Sequence, residues 1–190
     1  MKEIIIFFLI FLLVLGSAFI IFNGRFFYSQ LKYSTIGPKQ LTLSHTTEQV
    51  TNNEQGTILL EKLVIPSIGV DTPVTQLAVK DEYTLQKALE KGVVLYPDSN
   101  IILGHSSAYP WYKGEYGSVF SLLNKLEKED KILIFSKDKK YTYQVIDKEI
   151  KMPKDLNIED KEDILYLMSC WPVNTNRKRI AIKAIRVDTE

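Results

Sequence analysis

The chain has 190 residues and a net charge of +1, with one cysteine and two histidines. That length gives one domain of ordinary size plus an appendage, and the near-neutral balance carries no electrostatic footprint for nucleic acid or for a strongly acidic substrate. One cysteine excludes an intramolecular disulfide, and one cysteine with two histidines excludes a structural zinc site of the four-ligand Cys/His type.

The appendage comes first. After a short tail, residues 1–3, the segment IIIFFLIFLLVLGSAFIIF runs over residues 4–22 without a charge. As a helix it spans roughly 28 Å, close to the hydrocarbon thickness of a bilayer. Gly16-Ser17-Ala18 offers a cut site for a cleavable signal peptide. The cores of such peptides run about 7–15 apolar residues, however, and Phe19-Ile20-Ile21-Phe22 carries the run past the small residues. The segment therefore reads as an uncleaved, single-pass transmembrane anchor in contact with membrane lipid. Charge is a poor guide to its orientation. Lys2 precedes the span while Arg25, Lys32 and Lys39 follow it; a bare positive-inside count puts the large domain in the cytoplasm, but that rule weakens before a long translocated domain.

Residues 23–55 read as a polar linker or stalk, because SHTTEQVTNNEQGT has almost nothing apolar to bury. His45 within it reads as a solvated surface residue. The folded domain occupies residues 56–190. TILLEKLVIP is a strand closed by Pro66, and SIGVDTPV a short strand reached through a turn. YTLQKALEKG sets Leu85, Ala88 and Leu89 at helical spacing, with Gly92 where a C-terminal cap belongs. IILGH, residues 101–105, is an apolar strand ending on a glycine and a histidine. The aromatic loop SSAYPWYKGEYG follows, then SVFSLLNKLEKED as a second short helix. KILIF and YTYQVID flank the turn SKDKK as a hairpin, and DILYLMS and RIAIKAIRV supply the last two strands. Seven or eight short strands against two short helices predict a mostly-β domain, closed as a barrel or folded as a sandwich. No internal repeat is visible.

Three features could carry chemistry: His105 ending one strand, Cys170 ending another, and Arg177 and Arg179 opening the last. Singly, each has an ordinary explanation as a capped imidazole, a small buried hydrophobe and a solvated cation. Together they supply the parts of an acyl-transfer site. A thiolate attacks a carbonyl, an imidazole moves protons, and a fixed donor stabilises the oxyanion. Free thiols titrate near 8.5, and a neighbouring cation favours the thiolate. The loop aromatics at 109–112 read either as a cluster capping the core or as an edge of the substrate groove. The carboxylates Glu127, Glu129 and Asp130, and Asp160, Glu162 and Asp163, lack the spacing of a calcium loop. No metal or cofactor is expected.

Four stretches resemble the sortases, membrane-anchored cysteine transpeptidases of bacterial surfaces. LVIPSIGVDTPV is similar to that family's opening strand and Ile-Pro turn, IILGHSS to its glycine-histidine element, LYLMSC to its Thr-Leu-x-Thr-Cys signature, and RIAIKA to its arginine-led final strand. Ser169 replaces the usual threonine before the cysteine and retains a hydroxyl, while Tyr166 stands where the signature's first threonine would be. Arg179 precedes Ile-Ala-Ile-Lys-Ala in the register expected of that strand, which favours it over Arg177.

The resemblance implies an eight-stranded sortase-type barrel with two short helices behind the N-terminal transmembrane helix. It implies catalysis by His105, Cys170 and Arg179, with Ser169, Tyr166, Tyr109 and Trp111 as candidate substrate contacts. The implied partners are secreted proteins bearing a C-terminal sorting motif of the Leu-Pro-x-Thr-Gly kind, and an amine acceptor from a cell-wall precursor or a pilin lysine. The implied location is the cell membrane, with the catalytic domain outside. Two other readings fit the residues: a cell-surface cysteine hydrolase using the same site, and a non-catalytic anchored β-domain with Cys170 inert.

Overall fold

The computed structural model describes residues 2–36, 60–107, 112, 114–137 and 139–189. His45, Tyr109 and Trp111 lie outside the described residues. The first element, α1 (Lys2–Ile36), is a 35-residue helix. It runs on beyond Phe22, so the first part of the expected linker, residues 23–36, is helical. Its large apolar side chains from Ile4 to Leu15 are exposed: Ile4 and Phe7 are each 73% exposed and Leu13 is 72%. A helix long and apolar enough to cross a bilayer, its Lys2–Phe19 stretch unburied, is a candidate membrane anchor.

Eight strands follow: β1 (Lys62–Ile65), β2 (Val70–Gln76), β3 (Val93–Leu95), β4 (Ile101–Leu103), β5 (Lys131–Ser136), β6 (Lys139–Lys151), β7 (Ile164–Trp171) and β8 (Lys178–Thr189), with α2 (Glu82–Leu89) between β2 and β3. They close into a barrel in the order β1-β2-β3-β4-β7-β8-β6-β5, and β5 pairs back onto β1. The expected eight-stranded barrel is therefore present. β3 is the eighth strand, beside the seven that the sequence pattern names. β2–β3 and β4–β7 are parallel pairs, and every other pair is antiparallel.

Alternation along the strands builds the core. Leu63, Ile65, Ile102, Ile132, Ile134, Leu165, Leu167, Ile180 and Ile182 face inward with Phe120 and Leu123. A parallel β2–β3 connection needs a crossover of a dozen or more residues, and α2 supplies it. Asp81 caps this helix by accepting from Thr84 N at 2.8 Å, and Leu85, Ala88 and Leu89 pack on Leu77, Val94 and Leu103 outside the barrel. Gly92 is not the cap of α2. The helix closes at Glu90, and Gly92 lies where a Cβ would come 2.4 Å from the Pro73 carbonyl oxygen. The second short helix, expected over SVFSLLNKLEKED, is a run of turns ending in one 3-10 turn, Leu123–Lys125.

Candidate active site

β4 and β7 are parallel, so their C-terminal ends reach the same rim. Their register pairs Ile101 with Tyr166, Ile102 with Leu167 and Leu103 with Met168, and Gly104 N donates to Met168 O at 3.2 Å. Continuing that register brings His105 level with Cys170. On the other side of β7, the antiparallel pairing sets Cys170 opposite Arg179. Cys170 and Arg179 thus lie on neighbouring strands and His105 just past the end of the third, β4, with the strands about 4.8 Å apart. Leu167 and Ile180 point into the core. Cys170 and Arg179, out of phase with them, therefore project from the outer wall of the barrel. Arg177 is an exposed loop residue just before β8.

Hydrogen bonds tie the histidine-bearing end of β4 to the cysteine-bearing end of β7. The Ser169 hydroxyl donates to Gly104 O at 2.7 Å and is buried. Ser169, expected at the substrate groove, therefore faces inward and holds the backbone just before His105. His105 O accepts from Phe120 N at 2.8 Å, and Ser107 Oγ accepts from Asn174 N, in the β7–β8 loop, at 2.9 Å. Arg179 closes the same loop by donating from one terminal nitrogen to Asn176 O at 2.9 Å and Lys178 O at 3.1 Å. A guanidinium has five N–H donors, so these bonds leave others for a substrate oxygen.

Gly104 is required by close approach. A Cβ there would lie 2.5 Å from Phe120 Cδ2, a ring buried in the core. Gly104→Ala is expected to cost about 1–3 kcal/mol in chemical denaturation through overpacking, and to lower activity by displacing His105.

His105 is half-buried, and burial pushes its imidazole below the ordinary value, with the Glu90 carboxylate pulling weakly the other way. Among the described residues, the ring of Tyr112 meets it edge-on. Tyr112 belongs to the aromatic run at 109–112, and composition alone does not single it out as a neighbour of the imidazole.

Tyr166 lies on the same outer wall, four residues before Cys170, beside Lys183 on β8. Its hydroxyl accepts from Glu159 N at 3.2 Å, and the Glu159 carboxylate is bound by Lys183 and Lys161. The two ammonium groups hold that carboxyl down to about 2. Asn100 Nδ2 donates to Glu159 O and Ile164 O, both at 2.9 Å. These bonds fasten the β6–β7 loop over the wall and enclose a pocket of about 180 Å³ whose lining includes Ile158, Glu159, Tyr166, Ala181 and Lys183. Among the described residues, no three His, Cys, Asp or Glu side chains converge as a metal site would need.

A sortase-domain family model matches residues 63–187, which is most of the barrel and all three residues of the row. The chain belongs to the sortase family. Its domain is that of a sortase-type transpeptidase, and a candidate membrane anchor precedes it. Among solved structures, it is similar to sortase C-1 from Actinomyces oris at 23% identity and a TM-score of 0.55, over 67% of this chain and 72% of that one. It is also similar to a lid mutant of sortase A from Corynebacterium diphtheriae at 22% identity and 0.55, over 68% and 70% of the two chains. Sortase C from Clostridium perfringens matches at 22% identity and 0.53, over 71% and 72%. These likenesses establish the barrel fold shared with sortases. Comparison with curated proteins returns no match.

Proposed function

We propose that this sortase works as a cysteine transpeptidase through Cys170, with His105 as the proton-transfer group and Arg179 as the oxyanion donor. The observation that carries the proposal is the strand register: Cys170 is paired with Arg179, and the parallel β4–β7 pairing, continued two residues past β4, brings His105 level with Cys170. The neutral imidazole takes the thiol proton as sulfur attacks the carbonyl carbon before the scissile bond. The tetrahedral oxyanion accepts N–H donors from Arg179. Collapse breaks the C–N bond, and the imidazolium gives its proton to the departing amine, leaving a thioester. A second amine then loses a proton to His105, attacks the thioester and releases the thiol.

The substrate in this reading is a secreted protein with a sorting motif of the Leu-Pro-x-Thr-Gly kind, and the acceptor is an amine of a cell-wall precursor or a pilin lysine. The motif lies along the outer wall. Cys170 and Tyr166 are four strand residues apart, roughly 13 Å, so an extended peptide acylated at Cys170 reaches the pocket with a side chain a few residues upstream. The anchor holds the enzyme in the cell membrane, and the catalytic domain faces outward, where such substrates are.

The test is incubation with Leu-Pro-x-Thr-Gly peptides, with and without an amine acceptor, followed by mass analysis of protein and products. An acyl adduct on Cys170 and a product joined to the amine are expected. Hydrolysis that persists unchanged with added amine would convert the reading to a hydrolase, and no adduct with any peptide would leave a binding domain. The pH dependence has a defined sign. His105 must be neutral to accept the thiol proton, and burial lowers its pKa. Acylation is therefore retained on acidification through the ordinary imidazole value of about 6.5 and lost only below it.

A further inference from the structure

Tyr112 stands outside the row of His105, Cys170 and Arg179 yet touches one of its members. Its ring centroid lies 5.5 Å from that of the imidazole with the planes at 81°, an edge-to-face contact. The far end of the same ring is fixed, since the phenol donates to the carbonyl of Leu89, the last residue of α2, at 2.9 Å. The chain then passes so close that a Cβ on Gly114 would sit 2.6 Å from Tyr112 Oη and 2.7 Å from Glu90 O. The phenol is bound at its tip, hemmed in by the backbone, and set against the imidazole.

We infer that Tyr112 is the positioning residue of His105: pinned to the C-terminal end of α2, its ring holds the imidazole in the orientation used for proton transfer and excludes water from one side of it. The inference rests on the proton-transfer role given to His105 above. An imidazole two residues beyond the end of β4 has several staggered rotamers open to it, and a fixed wall on one side removes some of them. Proton transfer depends steeply on such placement; a displacement of about 1 Å costs on the order of 10²-fold in rate. The wall also contributes to the burial that lowers the imidazole's pKa, against the Glu90 charge just after α2, while Cys170 on β7 lies at the register position beside His105 and Arg179 on β8 lies beyond Cys170.

The chain has only two histidines, so a His45→Gln background leaves a single imidazole to follow by NMR in the full-length protein in detergent. In that background Tyr112→Ala is expected to move the His105 titration upward, toward the ordinary imidazole value. The same variant is expected to lower kcat on the order of 10-fold or more with KM within about threefold. Tyr112→Phe keeps the ring and loses its tether, so kcat falls by less and the titration stays near that of the parent. His105→Ala separates the two claims. Full turnover in that variant overturns the role of His105. An inactive His105→Ala beside a Tyr112→Ala with unchanged titration and unchanged kcat overturns the positioning role alone.

Discussion

Cys170→Ala is expected to give a folded barrel with no transpeptidation, a loss of at least about 10³ in rate. The side chain lies at the rim of the outer wall, half-buried and outside the core that Leu167 and Ile180 build. Removing its sulfur leaves no large cavity, and the melting transition should shift by less than about 1 kcal/mol in stability terms. Thermal denaturation and peptide turnover measured on the same preparation check both halves. Turnover near wild type would show that the nucleophile lies elsewhere. A large loss of stability would show that the thiol is part of the packing.

Arg179→Ala is expected to lower kcat by about 10²–10³, the range for removing one oxyanion donor, while Arg177→Ala stays near wild type. The two arginines differ by two residues in sequence and by much more in setting. Arg179 is opposite Cys170 in the β7–β8 register, whereas Arg177 is an exposed loop residue. Arg179 also donates to Asn176 O and Lys178 O, so truncating it loosens the loop as well as removing a donor. Arg179→Lys distinguishes the two effects. It keeps the charge but loses the planar fork, and a lysine that fails to restore kcat assigns the loss to the geometry of the guanidinium. Steady-state kinetics of the three variants with one peptide substrate decide it; an inactive Arg177→Ala beside an active Arg179→Ala reverses the assignment.

Much of the barrel is legible in the one-dimensional pattern because its strands are bounded by clear turns. β5 and β6 are apolar and β-branched runs on either side of SKDKK, and they pair as the expected hairpin. The nearness of His105 to Cys170 is of another kind. It arises from a parallel pairing between strands whose joining bond, Ser169 to Gly104, connects residues 65 apart. No local periodicity encodes that separation; the residue types suggest a shared site, and the β4–β7 pairing is what aligns them. Ser169 shows the same limit from the other side: a hydroxyl next to Cys170 looks like a substrate contact until the strand's alternation turns it inward. Hydropathy marked where α1 becomes polar, but polarity sets the membrane boundary and not the end of a helix. The chemical stop signal, Gly37-Pro38, comes well after Phe22.

That continuation of α1 sets a stand-off. A 35-residue helix is about 52 Å long, against about 30 Å of hydrocarbon. With its uncharged stretch in the bilayer, the remaining turns lift the chain roughly 20 Å clear before residue 37 is reached. That height exceeds the thickness of a headgroup layer, so a helix of this length seated in a bilayer carries its last turns clear of the lipid.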